Sequence, residues 1–174
     1  QVANGECVIG SSEDCAATSD CKQFGACSLV GGQCMPGSDE DCAGSVDCQM
    51  YGGCSLVGGT CQAATDEDCA DALGCTQYGA CSVMEWGCGP MTPEDCSQSE
   101  SCANYGACSF AGEFEGCVPG SDEDCAKSTG CAVSGACANL NDWCGPSSDE
   151  HCAESALCVQ QGLCSYAFGS CEAT

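Results

Sequence analysis

Cysteine is the residue type that could carry most chemistry in this chain, with 25 copies in 174 residues. Thiolate sites for zinc, copper or iron–sulfur clusters usually draw on Cys-x-x-Cys or Cys-x-Cys pairs. Here the closest two cysteines are six positions apart, and His151 is the single histidine. The spacing therefore favours disulfide bonds over metal binding, and we predict no cofactor.

Acidic runs and hydroxyl residues are the other candidates for chemistry. The run from Ser38 to Asp41 and its copies could offer oxygen ligands to calcium, but they lack the loop length, central glycine and distal glutamate of an EF-hand. Helix capping explains these runs position by position, and weak divalent-cation binding is the alternative. His151 accompanies no nucleophile motif, so we predict that the protein is not an enzyme.

The elements that must position these residues come as repeats. After Cys7, the cysteines form six groups of four with a period of 27 residues, and the step from Cys108 to Cys117 is two residues longer than its counterparts. A fixed period in this range predicts stacked repeats. We expect an N-terminal half-repeat, resembling the last strand of a repeat, and a linker over 1–14, followed by repeats 1 to 6 over 15–41, 42–68, 69–95, 96–124, 125–151 and 152–174.

Each repeat is predicted to contain one helix of about 13 residues. Four positions before the first cysteine a hydroxyl residue would cap it, followed by acidic residues, at Ser11, Ser38, Thr65, Thr92, Ser121 and Ser148. Ten positions after that cysteine a glycine would end it, at Gly25, Gly52, Gly79, Gly106, Gly135 and Gly162. The first cysteine, a small residue three positions later and the second cysteine would share one helix face.

The last part of each repeat predicts a short β-hairpin with glycine or asparagine at the turn. With a two-residue turn, Cys27 would lie opposite Cys34, and the insertion in repeat 4 would lengthen only the hairpin tip. The predicted fold class is a small disulfide-rich α+β solenoid of six helix-plus-hairpin repeats. The rings before the stop glycines are either lids on the neighbouring repeat or an assembly surface: Phe24, Tyr51, Tyr78 and Tyr105.

Four cysteines in a repeat allow three pairings, and the sequence does not select one. Because the total is odd, at least one cysteine lacks an intrachain partner. A bond from Cys15 to Cys34 would leave Cys7 over, whereas a bond from Cys7 to Cys27 would leave Cys171 over. The odd or intermolecular cysteine is therefore expected to be Cys7 or Cys171.

Leucine, isoleucine, valine and phenylalanine together number only 20, and the net charge is −24. Such a composition is normally disordered, so covalent cross-links have to supply the stability. Disulfides on this scale need an oxidising compartment, and Gln1 at the start is typical of a chain whose secretion signal was removed. We predict a secreted, extracellular or cell-surface protein with no membrane span and no nucleic-acid partner.

The pattern Asp-Cys-x-x-Ser-x-x-Cys-x-x-x-Gly-x-Cys-Ser-x-x-x-Gly-x-Cys, as in Asp41 to Cys61, resembles cysteine-rich tandem repeats of predicted secreted proteins from myxobacteria and related bacteria. The resemblance covers nearly the whole chain and implies secretion, with no assigned activity.

Function is predicted from the ends of the repeat array. The last repeat resembles the others and has no distinct polar cap. The leading prediction is therefore an extracellular structural protein that self-assembles head to tail into a filament, appendage or sheath. The alternative is a soluble binding module that recognises a polysaccharide or a protein through the variable hairpin tips.

Full reduction and alkylation should abolish most of the far-UV circular dichroism and the heat resistance of the purified protein. The reason is that so few apolar residues cannot offset the conformational entropy of the chain. An unreduced sample taken through the same alkylation is the control. If both properties survived reduction, an apolar core rather than sulfur would be stabilising the fold.

Overall fold

The computed structural model describes residues 2–3, 6–7 and 9–173, with side chains described over 9–173. These residues form twelve short helices and fourteen short strands. They divide into two compact units: unit 1 is Gln1–Cys75 with Cys81–Gly89, and unit 2 is Thr76–Ala80 with Pro90–Thr174.

In the structure each repeat begins at the cap of its first helix, Ser11 in repeat 1 and Ser38 in repeat 2, a few residues before the predicted bounds. Each repeat contains two short helices, not the single longer helix that was predicted. The first begins directly after the predicted cap: α1 (Ser12–Ala16), α3 (Asp39–Ala43), α5 (Asp66–Ala70), α7 (Pro93–Ser97), α9 (Asp122–Ala126) and α11 (Asp149–Ala153). The second ends just before the stop glycine: α2 (Ser19–Phe24), α4 (Val46–Tyr51), α6 (Leu73–Tyr78), α8 (Glu100–Tyr105), α10 (Thr129–Ser134) and α12 (Ala156–Gln161). Over the described part of the chain, no helix has the length and apolar character needed to cross a membrane.

The single-helix prediction is wrong because the small residue three positions after the first cysteine is a second helix cap. Ser99 has an extended backbone, with φ −80° and ψ 155°. Its hydroxyl accepts the N–H of Cys102 at 3.1 Å and donates to the carbonyl of Cys96 at 2.8 Å. The hydroxyls of four equivalents accept in the same way: Thr18, Ser45, Ser128 and Ser155. Such a cap ends one helix and begins the next.

A two-stranded antiparallel hairpin closes each repeat. The pairs are β3 (Ser28–Val30) with β4 (Gln33–Met35), β5 (Ser55–Val57) with β6 (Thr60–Gln62), β7 (Ser82–Met84) with β8 (Gly87–Gly89), β9 (Ser109–Gly112) with β10 (Gly116–Val118), β11 (Ala138–Asn139) with β12 (Cys144–Gly145), and β13 (Ser165–Ala167) with β14 (Ser170–Glu172). In repeat 4 the two extra residues lie in a longer tip over 113–115, as predicted.

The register of these hairpins differs from the prediction. Leu29, not Cys27, lies opposite Cys34. The turn is at Gly31 and Gly32, whose φ values of 59° and 86° suit a tight hairpin turn and are accessible mainly to glycine. The turn therefore lies one residue later in the chain than predicted, and the partner of each strand residue is two positions away from the predicted partner.

The N-terminal half-repeat contains two paired strands, whereas only one strand was predicted. Strand β1 (Val2–Ala3) pairs antiparallel with β2 (Glu6–Cys7). Val2 lies opposite Cys7, as Leu29 lies opposite Cys34 in repeat 1. This segment is therefore a repeat hairpin in the common register, with Cys7 at the position of a fourth cysteine.

Twelve disulfide bonds are found among the described side chains, and each lies within one repeat. The first cysteine bonds to the fourth, as Cys15–Cys34, Cys42–Cys61, Cys69–Cys88, Cys96–Cys117, Cys125–Cys144 and Cys152–Cys171. The second bonds to the third, as Cys21–Cys27, Cys48–Cys54, Cys75–Cys81, Cys102–Cys108, Cys131–Cys137 and Cys158–Cys164. The pairing of Cys7 with Cys27, which would leave Cys171 over, is therefore wrong. The side chain of Cys7 lies outside the described residues.

The core consists of sulfur and small side chains. The first cysteine of every repeat is fully buried, and the other buried side chains among residues 9–173 are Ala26, Ala72, Ala138, Pro119, Pro146, Ser45, Ser99, Ser128 and Ser155. Among residues 9–173, no leucine, isoleucine, valine or aromatic side chain is fully buried. The predicted fold class, a small disulfide-rich protein of six helix-and-hairpin repeats, is confirmed.

Ala72→Ser should stabilise the protein, because repeat 3 is the only one that has no hydroxyl at the second cap position. The new hydroxyl can accept the N–H of Cys75, and the gain should be about 1 kcal/mol. The matched change in the opposite direction is Ser99→Ala, which should cost about 1 kcal/mol. Thermal unfolding followed by circular dichroism measures both, and equal melting temperatures for the two variants would contradict the second cap.

Candidate functional site: the contact between repeats

The predicted caps lie at the start of the first helix in every repeat. Each hydroxyl accepts the N–H three residues later, at Ser11, Ser38, Thr65, Thr92, Ser121 and Ser148. The side chain at the third helical position accepts backbone N–H groups in return. Asp14 accepts the N–H of Gly10 at 2.8 Å, and this bond lowers the pKa of Asp14.

A bond from a hydroxyl to a carboxylate joins successive repeats. Ser28 after the third cysteine of repeat 1 donates to Asp41 of repeat 2 at 2.7 Å. Two further pairs of successive repeats are joined in the same way, repeats 2 and 3 by Ser55 to Asp68 at 2.9 Å and repeats 4 and 5 by Ser109 to Asp124 at 3.2 Å. Each bond ties a hairpin to the first helix of the next repeat.

Both partners of this bond change together between repeats 5 and 6. Ala138 stands where the serine is expected, and His151 stands where the aspartate is expected. The ring Nδ1 of His151 accepts the N–H of Ser147 at 3.3 Å, as Asp14 accepts that of Gly10. His151 therefore has a capping role that the sequence analysis did not assign.

A second set of carboxylates, which the sequence analysis missed, ties the first helix to the hairpin of its own repeat. Asp39, the first helical residue of α3, accepts the N–H of Leu56 at 2.7 Å. Equivalent bonds join Asp66 to Val83 at 2.8 Å, Asp122 to Asn139 at 2.8 Å and Asp149 to Tyr166 at 2.7 Å. An aspartate three positions before the first cysteine was the available signal, but it was interpreted only as part of an acidic run.

These bonds bear on the divalent-cation alternative. The carboxylate oxygens of the acidic runs accept backbone N–H groups. Within residues 9–173, no group of three or more histidine, cysteine, aspartate or glutamate side chains is placed to hold a metal ion. The runs act as helix caps and as ties between elements.

The stop glycines are the points of closest approach between repeats. Gly25 has φ +72°, and a Cβ there would lie 2.7 Å from the carbonyl oxygen of Asp41 and 2.9 Å from Sγ of Cys61. At Gly79, Gly106 and Gly135 a Cβ would meet the equivalent atoms of the following repeat at 2.6–3.2 Å. Glycine therefore serves twice, because it takes the left-handed conformation that ends the helix and leaves room for the next disulfide.

The first and last repeats leave parts of this contact uncovered. Gly162 is exposed, with nothing within 4 Å of a Cβ, whereas its five equivalents are buried. The residue after it, Leu163, is half-buried, whereas Ala26 and Gly53 at the same position of repeats 1 and 2 are buried. In repeat 1, Asp14 is exposed and Thr18 is half-buried, and both are more exposed than their equivalents in repeats 2 to 6.

The four aromatic rings before the stop glycines are exposed. Phe24 is 55%, Tyr51 64%, Tyr78 63% and Tyr105 69% exposed, which favours the surface alternative over the lid. A second set of rings, which the sequence analysis did not single out, lies at or beside the hairpin tips: Trp86, Phe114, Trp143 and Phe168 are 53–101% exposed. Exposed large rings on this scale are unusual on a soluble domain and mark contact surfaces.

One cleft in unit 1 combines rings from two successive repeats. It has a volume of about 270 Å³ and is lined by Tyr51 of repeat 2, Trp86 of repeat 3 and the polar side chains Asp47, Gln62 and Glu85. Partial burial raises the pKa of Asp47. Over residues 9–173, the Asp47 carboxylate has no hydrogen bond and no ion pair.

Unit 2 contains a cleft built in the same way. It has a volume of about 420 Å³ and is lined by Tyr105 of repeat 4, Trp143 of repeat 5 and, among other residues, Pro119, Ser134 and Asp142. It therefore has one carboxylate, where the cleft of unit 1 has two.

Gly135→Ala should destabilise the protein more than Gly162→Ala. Both residues have φ near +74°, so both variants suffer the strain of a left-handed alanine, about 1–2 kcal/mol. Only at position 135 would the methyl group also meet a backbone oxygen, that of His151 at 2.6 Å. Equal losses in melting temperature would show that the repeats do not pack through these glycines.

Comparisons of this chain with protein-family models, with curated proteins and with solved structures found no match. Its function therefore has to be inferred from the contacts described above.

Proposed function

We propose that the protein is an extracellular structural protein whose copies associate head to tail into a filament, appendage or sheath. The observation that carries this proposal is the uncovered face around Gly162. In five of six repeats the same face is packed against the carbonyl and disulfide of a following repeat. The first repeat of a second copy has those groups, in the carbonyl of Asp14 and the Cys15–Cys34 bond.

The chemistry of the uncovered face supports association. Solenoid arrays usually end in polar capping repeats that keep them soluble and separate. In repeat 6, the residue after the uncovered glycine is instead Leu163, which is half-buried, where the other repeats have alanine or glycine. A partly exposed leucine on a chain with a net charge of −24 gains from being covered.

The complementary face is on repeat 1. Thr18 caps α2 there, and its equivalents in repeats 2 to 6 are buried. In unit 2, the carbonyl of Asn104 on α8 lies 3.1 Å from where a Cβ on Gly130 of α10 would be, so helices of successive repeats touch on this side. The contact between copies would therefore involve α12 of one copy and α1 with α2 of the next.

The disulfides support an extracellular location. Twelve bonds within one chain form and persist only in an oxidising compartment. The resemblance of the repeat to those of secreted bacterial proteins points to the same location. Because the chain has only two lysine or arginine residues, trypsin-like proteases have few cleavage sites in it, which suits a durable external material.

A second candidate function is a binding module that uses the hairpin tips. The observation in its favour is the set of exposed rings there, of which Phe114 is 96% and Phe168 101% exposed. Repeats 1 and 2 have glycine pairs at their tips, so the rings belong to repeats 3 to 6.

Gly162→Asn should abolish self-association without unfolding the protein. Asparagine tolerates φ +73°, and nothing in the chain lies within 4 Å of its Cβ. Its side chain would occupy the space that the next copy needs. Sedimentation and negative-stain microscopy should show particles that lengthen with concentration for the unmodified protein, and a 17.4 kDa monomer for the variant.

The matched control is Gly58→Asn. Gly58 also has a positive φ, of +60°, and nothing within 4 Å of a Cβ, but it lies at a hairpin tip away from the stop glycine. This variant should associate as the unmodified protein does. The proposal fails if the unmodified protein stays monomeric at every concentration, or if Gly162→Asn assembles equally well.

A further inference from the structure

We propose that the cleft of unit 1, between Tyr51 and Trp86, binds a small organic cation of the alkylammonium class. This inference deepens the second candidate function and does not depend on self-association. It is carried by two exposed rings that face one cleft together with two carboxylates.

The rings supply the first part of the recognition. Tyr51 is 64% and Trp86 is 83% exposed, so their surfaces are free for a ligand. A cation over the face of a tryptophan or tyrosine is attracted by the ring quadrupole, and pairs of rings are the usual receptor for quaternary ammonium groups. Met84 also lines the cleft and adds a polarizable apolar wall.

The carboxylates supply the second part. Asp47 and Glu85 line the cleft, and no lysine or arginine does. Over residues 9–173 the single ion pair is Lys127 with Glu123, which is elsewhere in the chain. Asp47 is partly buried without a hydrogen-bonding partner, a state that a bound cation would relieve. The cleft therefore offers two negative groups to a ligand and no positive group of its own.

The size of the cleft selects among ligands. A volume of about 270 Å³ lies below the usual range of pockets for drug-sized ligands, roughly 300–1,000 Å³. It suits a trimethylammonium head group with a short chain better than several sugar rings. A neutral oligosaccharide would also leave the two carboxylates without a counter-charge.

The cleft of unit 2 is a comparison within the same molecule. It presents Tyr105 and Trp143 in the same relation between repeats, but with Asp142 as its one carboxylate. If charge together with the rings selects the ligand, the cleft of unit 1 is the stronger site.

Isothermal titration of the full chain with choline chloride tests the proposal, with sodium chloride of equal ionic strength as the reference. We expect saturable binding of one choline. Trp86→Ala should weaken it at least tenfold and Glu85→Gln several-fold, whereas Trp143→Ala should leave it unchanged. Trp86 and Trp143 are both more than half exposed, so neither change should unfold the protein, and circular dichroism checks this.

Two further ligands and one variant make the result specific. The neutral isostere 3,3-dimethylbutan-1-ol should not bind, and neither should chitotriose. Equal binding of the isostere, binding of chitotriose without choline, or no saturable binding of choline would each overturn the proposal. Repeating the titration with Gly162→Asn separates this site from self-association, because that variant should still bind choline as a monomer.

Discussion

The bond between the first and fourth cysteine of each repeat is the interaction on which the rest of the structure depends. Its first sulfur is the most buried group of the repeat, as at Cys15 and Cys42, and it joins the first helix to the hairpin. Helices of five or six residues are not stable by themselves, and two-stranded hairpins are marginal in water. Linking them covalently restricts the unfolded chain and replaces the apolar core that the composition cannot provide.

Disulfide bonds stabilise the inside of each repeat. Successive repeats are joined by hydrogen bonds and by close packing at the stop glycines. Ser28 with Asp41 supplies a hydrogen bond, and Gly25 supplies the space for the disulfide of the following repeat. The pair Ala138 and His151 shows that the two partners of the bond change together, since a serine there would face no carboxylate. A contact of this kind is short-range and depends on shape, and the proposed association between copies would use the same groups. This is why an uncovered Gly162 bears on assembly.

Because disulfides take the place of an apolar core, the large apolar side chains do not have to be buried. Trp86 and Phe114 can remain exposed because the fold does not need their burial. They therefore remain on the surface, and within residues 9–173 Glu85, next to Trp86, has no ion pair. In unit 1, two such rings and two carboxylates line one cleft, and the proposed cation site rests on this arrangement.

The sequence alone determined the repeat length, the six caps, the six stop glycines and the presence of a hairpin in each repeat, because each follows from local spacing. It did not determine the pairing of cysteines, since three pairings fit the same spacing. It also did not reveal that Thr18 and its equivalents begin a second helix, because a small residue can either pack or cap. The tertiary structure decided these points, and it placed Tyr51 and Trp86 on one cleft, because contacts between repeats bring together residues that the sequence keeps far apart.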